Sequence, residues 1–326
     1  MRIGIYGYGN LGRGVEIALK KRSDLELVGI FTRRDPSSIR ALYEESLIYS
    51  SERILEFKEK IDVLIVCGGS AKDLPEMTPF LAEHFNVIDS FDTHGRIPYH
   101  YANVDKSAKK GGKTALISMG WDPGLFSVAR VVFGELLPNG DTFTFWGEGI
   151  SQGHSEAIRN LEGVKDAREY TVPVYSIIDM VKVGKIKRIS SSDAHKRKCY
   201  VVSEPNADKS KIESQIKNMP YYFSGYDTSV EFVSEEEIKN NHAGMPHGGR
   251  VIRRALTGKD DENFHLMEFS LNLKSNPEFT ANVLVGFCNA VFKMYLRGDV
   301  GCKTVFDIAP IDLLPEFKKN NLANLL

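Results

Sequence analysis

The stretch Arg2-Ile3-Gly4-Ile5-Tyr6-Gly7-Tyr8-Gly9-Asn10-Leu11-Gly12 is an apolar strand running directly into G-x-G-x-x-G. Gly7 permits a tight turn, Gly9 lets backbone approach a pyrophosphate, and Gly12 allows close packing of the helix that follows. The free amides at the start of that helix attract the anion. Leu11, Val15, Ala18 and Leu19 then recur at helical spacing, the context that separates a dinucleotide site from a chance glycine pattern. Gly7, Tyr8, Gly9, Asn10 and Leu11 are therefore expected to line a dinucleotide.

The second strand, Leu25 to Phe31, ends about 20 residues past the glycines, where the adenosine ribose rests in such sites. An NAD-binding chain places Asp or Glu there. This chain reads Thr32-Arg33-Arg34, two guanidinium groups and a hydroxyl that suit a 2′-phosphate, so NADP is the expected cofactor. The alternative is that both arginines solvate a loop. Asp35 follows in a turn and is expected to point away.

Beyond this unit, Val63 to Cys67 reads as a third buried strand, and Gly68-Gly69-Ser70-Ala71 as the small-residue loop at its carboxyl end, where a doubly wound sheet binds its ligand. Helix from Pro75 to Phe85, strand from Asn86 to Asp89, helix from Val104 to Lys110 and strand from Thr114 to Ser118 continue the alternation. After Gly120 it fails. Thr142 to Gly147, Lys198 to Val202, Thr228 to Val233, Arg250 to Leu256 and Phe264 to Lys274 read as strands with few helices between them. The expected fold is α/β: a Rossmann-type doubly wound parallel sheet, residues 1–120, completed by 277–326. A second α+β substrate-binding and dimerisation domain on an open mixed sheet spans 121–276. Glu278 to Arg297 has the pattern of a long helix.

Composition bounds the partners. The 326 residues are 42% hydrophobic and 26% charged, with a net charge of −1, which leaves no electrostatic footprint for nucleic acid or an anionic membrane. No apolar run is read as approaching the ~18 residues of a spanning helix, and the N terminus enters a strand without a signal-peptide pattern. Cys67, Cys199, Cys288 and Cys302 show no C-x-x-C spacing, which fits free thiols in a reducing cytoplasm. No His, Cys or carboxylate grouping has metal-ligand spacing, so no metal is expected.

Polar motifs cluster where a core has no need of them, each read as a loop or strand end. They are Ser90-Phe91-Asp92-Thr93-His94, Gly120-Trp121-Asp122-Pro123-Gly124, Trp146-Gly147, Ser151-Gln152-Gly153-His154-Ser155, Tyr170-Thr171, His195-Lys196-Arg197, Met245-Pro246-His247-Gly248-Gly249 and Ser275-Asn276-Pro277. Carboxylates from the first half and Arg, Thr, His and Asn from the second suit the ammonium and carboxylate groups of an amino acid lying between the domains. His84, His100 and His242 read as ordinary surface histidines. Lys196-Arg197-Lys198, taken alone, reads as a solvated charge run.

At these blocks the chain resembles the NADP-dependent meso-diaminopimelate D-dehydrogenases of bacterial lysine and cell-wall precursor metabolism. The resemblance spans nearly the whole chain, and Ser151 to Ser155 with Gly244 to Gly249 are its specific parts, because dinucleotide folds in general lack them. It implies a homodimer and reversible oxidative deamination at the D-centre of meso-2,6-diaminopimelate. It also implies that Asp92, Asp122, Gln152 and Gly153 face the reacting D-centre and that Trp146 walls the pocket; Trp121, beside Asp122, is expected to join the substrate contacts. Thr171, Arg197, His247 and Asn276 would hold the distal L-centre. Cys67, Gly68, Gly69, Ser70, Ala71, Ser90 and Phe91 join the glycine loop and Thr32-Arg33-Arg34 as expected cofactor contacts.

The chemistry is consistent with that resemblance. Hydride leaves a nitrogen-bearing carbon only when the nitrogen lone pair is free to push, so the ammonium must lose a proton to a base. Asp122 and Asp92 are the candidates, with His154 a water-positioning partner. The alternative for both is local: Asp122 capping the segment after Pro123, and Asp92 forming a turn. Two rival functions stay open. One is another oxidoreductase of the same fold, which a Lys base in an E-K-P-like segment after the Cys67 strand would favour. The other is a non-catalytic NADP sensor, which would lack the paired carboxylates.

Overall fold

The computed structural model describes residues 1–315, so the last part of the C-terminal segment expected to complete the first domain lies outside the described residues. The chain divides into two compact units, one formed by Met1–Val128 with the segment from Pro277 onward, the other by Ala129–Asn276.

The first unit is built on seven parallel strands: β1 (Arg2–Tyr6), β2 (Glu26–Thr32), β3 (Ile48–Ser50), β4 (Val63–Val66), β5 (Val87–Asp89), β6 (Thr114–Leu116) and, from the C-terminal segment, β14 (Gly301–Lys303). Their order is β14-β6-β5-β4-β1-β2-β3, which is the 3-2-1-4-5-6 order of a Rossmann sheet with one strand added beside β6. The central strands are mainly apolar, as burial on both faces requires; Val63, Leu64, Ile65 and Val66 of β4 are all fully buried. Helices α1 (Asn10–Lys20), α2 (Leu74–Ala82) and α3 (Ile97–Gly111) make the crossovers.

Helix α10 (Asn276–Leu296) corrects one reading. It has 21 residues, with an 18-residue window of mean hydropathy 1.3, and so is long and apolar enough to cross a membrane. Half of that window is buried, and Ala281, Leu284, Cys288 and Val291 join Ile3, Ile5, Val15 and Leu116 in one core. A Cβ on Gly14 would lie 3.0 Å from that of Ala281, so a glycine on α1 is what lets the two helices approach so closely.

The second unit departs from the sequence reading in three ways. Its strands form two sheets: a mixed one ordered β11-β10-β9-β8 and an antiparallel one ordered β13-β12-β7. The ranges are β7 (Asp141–Trp146), β8 (Gly149–Ile150), β9 (Val164–Pro173), β10 (His195–Ser203), β11 (Asp227–Phe232), β12 (His247–Thr257) and β13 (Asn263–Leu273). Strand β9 was not anticipated, because its polar sequence Val-Lys-Asp-Ala-Arg-Glu-Tyr hides the alternation. Helices are also more numerous than expected: α4 (Leu125–Leu136), α5 (Gln152–Arg159), α6 (Tyr175–Lys182), α7 (Ser191–Ala194), α8 (Lys209–Lys217) and α9 (Glu235–Asn241). The last five are too short for clear periodicity, yet four carry a legible start signal. Ser151, Ser190, Asp208 and Ser234 each accept a backbone N–H as N-cap.

Candidate active site

The glycine loop of the first unit has the form its sequence requires. Gly7 has φ +98°, and a Cβ there would come 2.4 Å from the Cys67 carbonyl oxygen. A Cβ on Gly12 would meet the Gly7 oxygen at 2.2 Å, whereas one on Gly9, the N-cap of α1, would meet nothing within 4 Å. Two glycines thus close the turn against the β4 end, and the third leaves open space beside the first amides of α1, the form of a pyrophosphate cradle. Tyr8 is buried, and its hydroxyl bonds Glu16 and accepts the Leu42 N–H at 3.1 Å. Burial, then Glu16, pushes that phenol up to about 12. Tyr8 therefore offers a cofactor its backbone and not its ring hydroxyl.

At the end of β2, buried Thr32 accepts the Arg34 N–H at 3.2 Å through its hydroxyl. The Arg34 guanidinium donates to the Tyr8 carbonyl at 2.6 Å, which holds it at the glycine loop. Arg33 pairs with Asp73 at 2.8 Å, and Asp73 also accepts the Gly69 N–H at 2.9 Å. The Gly68–Ala71 loop and the arginine pair are therefore joined. Asp35 turns to Ser37, accepting both its N–H and its hydroxyl, so its charge is spent in the turn.

Asp92 and Asp122 stand on loops after β5 and β6 that share one anchor. Asp89, fully buried at the end of β5, accepts the Phe91 and Ser118 N–H groups at 3.0 and 2.9 Å through Oδ1. Its Oδ2 accepts from Thr78 at 2.8 Å and contacts His100 Nε2 at 2.8 Å. His100 also stacks on Phe91, with centroids 4.1 Å apart. His100 is thus a buried strut, and not the surface residue expected. The Asp92 N–H donates to Ser70 Oγ at 2.9 Å, and Ser70 meets Thr93 at 3.1 Å, which ties this loop to the Gly68–Ala71 loop. Trp121 is buried, Asp122 is half-buried and Asp92 is exposed.

In the second unit, strand pairing sets the geometry. Thr171 on β9 stands opposite Arg197 on β10 and Gly149 on β8, so neither Thr171 nor Arg197 lies in a loop. Alternation explains why Arg197 escapes its charge run. Lys196 and Lys198 pair with Asp227 and Glu231, while Arg197 between them turns to the buried face, 8% exposed. There its guanidinium donates to the Thr171 hydroxyl, lies 3.4 Å from Glu169 Oε1 and sits 4.3 Å from the Tyr226 ring centroid. A Cβ on Gly149 would meet His247 Cα at 2.3 Å, and one on Gly147 the Thr171 oxygen at 2.1 Å. The two glycines let β7, β8 and the start of β12 close on one another, bringing Trp146, Thr171, Arg197 and His247 to one corner.

The remaining predicted groups border this corner. The Trp146 N–H donates to His195 Nε2 at 2.9 Å, and His195 Nδ1 bonds the Ser191 carbonyl at 2.9 Å, which fixes a neutral tautomer. Gln152 and Gly153 open α5 on the exposed side, and the Gln152 amide donates to Met245 Sδ at 3.2 Å. The Asn276 N–H donates to the Met245 carbonyl at 2.8 Å. His154 Nδ1 meets Ser151 Oγ at 2.6 Å, and burial, reinforced by Arg197, pushes the imidazole down to about 4. His242 is buried, stacked on Tyr200 at 4.0 Å and bonded to Tyr170 at 2.9 Å, which corrects its reading as a surface residue. Sequence reasoning missed Asp89, Glu169 and Tyr226, and named His195 in a polar motif without giving it a role. Glu169 was within reach, two positions before Thr171 on the same strand face.

A glycine-cradled helix terminus at the end of a Rossmann sheet, an arginine pair past β2 and a pair of carboxylates on the next loops define a dehydrogenase of the dinucleotide-binding class. Residues 120–275 match the family model described as the diaminopimelic acid dehydrogenase C-terminal domain. The meso-diaminopimelate D-dehydrogenase of Ureibacillus thermosphaericus is 52% identical over 96% of this chain and 95% of its own. Among solved structures, a multiply substituted meso-DAP dehydrogenase of Clostridium tetani with DAP superimposes with a TM-score of 0.93 at 46% identity, covering 100% of this chain and 99% of that one. An engineered D-amino acid dehydrogenase bound to NADP+ gives 0.88 at 37% identity, with coverage of 100% and 99%. The chain belongs to the meso-diaminopimelate D-dehydrogenase family.

Because one carboxylate serves four partners, Asp89→Ala should strand buried donors on four segments of the first unit. A loss of about 3 kcal/mol or more in unfolding free energy is expected, with Asp89→Asn retaining part of it. A urea midpoint within error of the unsubstituted chain would show that the loops hold without this anchor.

Proposed function

We propose that this chain catalyses the reversible oxidative deamination of meso-2,6-diaminopimelate at its D-centre. NADP+ and water are consumed, and L-2-amino-6-oxopimelate, ammonium, NADPH and a proton are formed. The observation that carries this reading is the buried Arg197 bonded to Thr171 at the His247 corner, a carboxylate-binding arrangement, in a family of which one relative is solved with DAP.

NADP, when bound, supplies the hydride acceptor. The residues fit it: the Gly7–Gly12 turn and the α1 amides receive the pyrophosphate, and Thr32, Arg33 and Arg34 the 2′-phosphate. Gly68–Ala71, Ser90 and Phe91 line the remainder. At the reacting end, Asp122 attracts the D-centre ammonium and takes its proton, freeing the lone pair that drives hydride departure, with Asp92 completing the binding of the amine. Gln152 and Gly153 face the same centre, and Trp121 and Trp146 wall it. His154, held neutral at working pH and engaged by Ser151, serves as a hydrogen-bond partner for the water that attacks the oxidised carbon. Thr171, Arg197, His247 and Asn276 hold the distal L-centre.

We also propose a homodimer in the cytoplasm, where the four free cysteines stay reduced. Its support is an exposed apolar face on the antiparallel sheet. Leu256 pairs with Phe264, and with Leu266 they are 44%, 49% and 42% exposed, on and beside an edge strand that a second copy would cover.

Initial rates with NADP should be high for the meso isomer of diaminopimelate and near background for the L,L isomer, which lacks a D-centre. Comparable turnover of both would overturn the assignment of the reacting centre. Arg34→Ala should weaken NADP binding roughly tenfold to a hundredfold, since a hydrogen bond to a charged group contributes about 1.5 to 3 kcal/mol. NAD binding should hardly change, and equal losses for the two cofactors would remove the 2′-phosphate role. Asp122→Asn keeps the shape but removes the proton acceptor, so turnover should drop by about 10² to 10⁴ with NADP affinity retained; undiminished turnover would move the base to Asp92 or to water.

A further inference from the structure

Glu169 is a buried carboxylate for which the proposed chemistry has no use. It is 0% exposed on the same face of β9 as Thr171, and its Oε1 lies 3.4 Å from Arg197 Nη1. Its Oε2 and Arg197 Nε find no hydrogen-bond partner among the described residues. A structural ion pair closes its donors and acceptors; this pair leaves one on each side unmatched. While Glu169 is ionised, the charges of Arg197 and Glu169 cancel, and the corner has little electrostatic attraction for an anion. A neutral Glu169 leaves the full positive charge of Arg197 for a carboxylate.

We propose that Glu169 sets the charge of the distal subsite, taking up a proton when the substrate's distal carboxylate binds at Arg197. The inference rests on the assignment of that carboxylate to Thr171 and Arg197. The proton comes from solvent buffer and forms an O–H bond on Glu169, so the bound carboxylate exchanges a buried competing anion for a neutral group. Burial, opposed by Arg197 and Thr171, pushes Glu169 up to about 7, which puts the exchange within the working range.

The neighbours leave Arg197 as the charge that governs it. On α5, His154 is pushed down to about 4, while Arg159 is turned to the Ala167 carbonyl at 3.0 Å. On β10, burial lowers His195, and the buried Cys199 thiol is raised so that it stays neutral. At the start of β12, burial also lowers His247. Tyr226 presents its ring to the guanidinium.

The sign follows from linkage. Below about pH 7 Glu169 already carries its proton and binding takes up none. Above it, each bound substrate draws in up to one proton, so the dissociation constant should rise with pH, by at most about tenfold per unit. The test is calorimetric titration of meso-diaminopimelate into enzyme loaded with NADPH, which cannot oxidise it, from pH 6 to 8.5 in buffers of different ionisation enthalpy.

The unsubstituted enzyme should take up protons at pH 8 and progressively fewer toward pH 6; Glu169→Gln should show that uptake reduced and a flatter affinity profile. No uptake in the unsubstituted enzyme, or the same uptake in Glu169→Gln, overturns the proposal. If the Gln chain fails to fold, the pH course of uptake in the unsubstituted enzyme decides by itself. Arg197→Met separates the two levels. Unchanged substrate affinity there removes the distal-site assignment, whereas weakened affinity alongside unaltered uptake in Glu169→Gln removes only the role of Glu169.

Discussion

The carboxylate of Asp89 joins four segments of the first unit: α2 through Thr78, the Asp92 loop through the Phe91 N–H, α3 through His100 and the Asp122 loop through the Ser118 N–H. A buried carboxylate must have its lone pairs satisfied, or its burial costs more than the fold can supply. Here two of the four partners that satisfy it, the Phe91 and Ser118 N–H groups, come from the loops carrying the proposed acid–base groups. The same constraint that stabilises the carboxyl end of β5 therefore fixes where the Asp92 and Asp122 loops leave the sheet. An exposed Asp92 remains placed because its backbone is held, and Ser70 extends that hold to the Gly68–Ala71 loop.

The second unit solves a different problem. Holding a distal carboxylate needs a cation that water does not screen, and a cation withdrawn from water needs a partner. Period-two alternation on β10 turns Arg197 inward while its two lysine neighbours stay at the surface, and the facing strand supplies Thr171 and Glu169. The same face becomes apolar further along, where Ala167, Cys199 and Val201 meet Ile158 and Phe223. One sheet face is thus core at one end and candidate site at the other, and the change falls between Ala167 and Glu169.

How much of this could be read beforehand follows the range of each interaction. The Gly7–Gly12 turn, the β2 end at Thr32-Arg33-Arg34 and the further parallel strands β4, β5 and β6 are local: periodicity and steric demand on a few consecutive residues are sufficient, whereas β3 and β14, three residues each, are too short to register. Arg197 was legible as a candidate site residue only through family resemblance, because a charge run gives no sign of which member faces inward until its strand partner is known. That partner, β9, is disguised by charged residues on its outer face. His100 and His242 misled for the same reason. Each is buried by groups distant in sequence, Asp89 and Phe91 for the first, Tyr170 and Tyr200 for the second.

The short helices of the second unit show the converse. Their apolar periodicity is too brief to register, but their starts are encoded one residue at a time, as in Ser234-Glu235-Glu236-Glu237, where the serine accepts the Glu237 N–H at 3.1 Å. Ser151 uses that device at the site itself: its hydroxyl accepts the His154 N–H and meets the imidazole at 2.6 Å. A residue that begins a helix therefore also fixes a ring whose charge burial has removed. With His154, His195 and His247 all lowered by burial, the imidazoles of this corner stay uncharged at neutral pH. On the proposed assignment, the charge a distal carboxylate meets is then set by Arg197 and by the state of Glu169 beneath it.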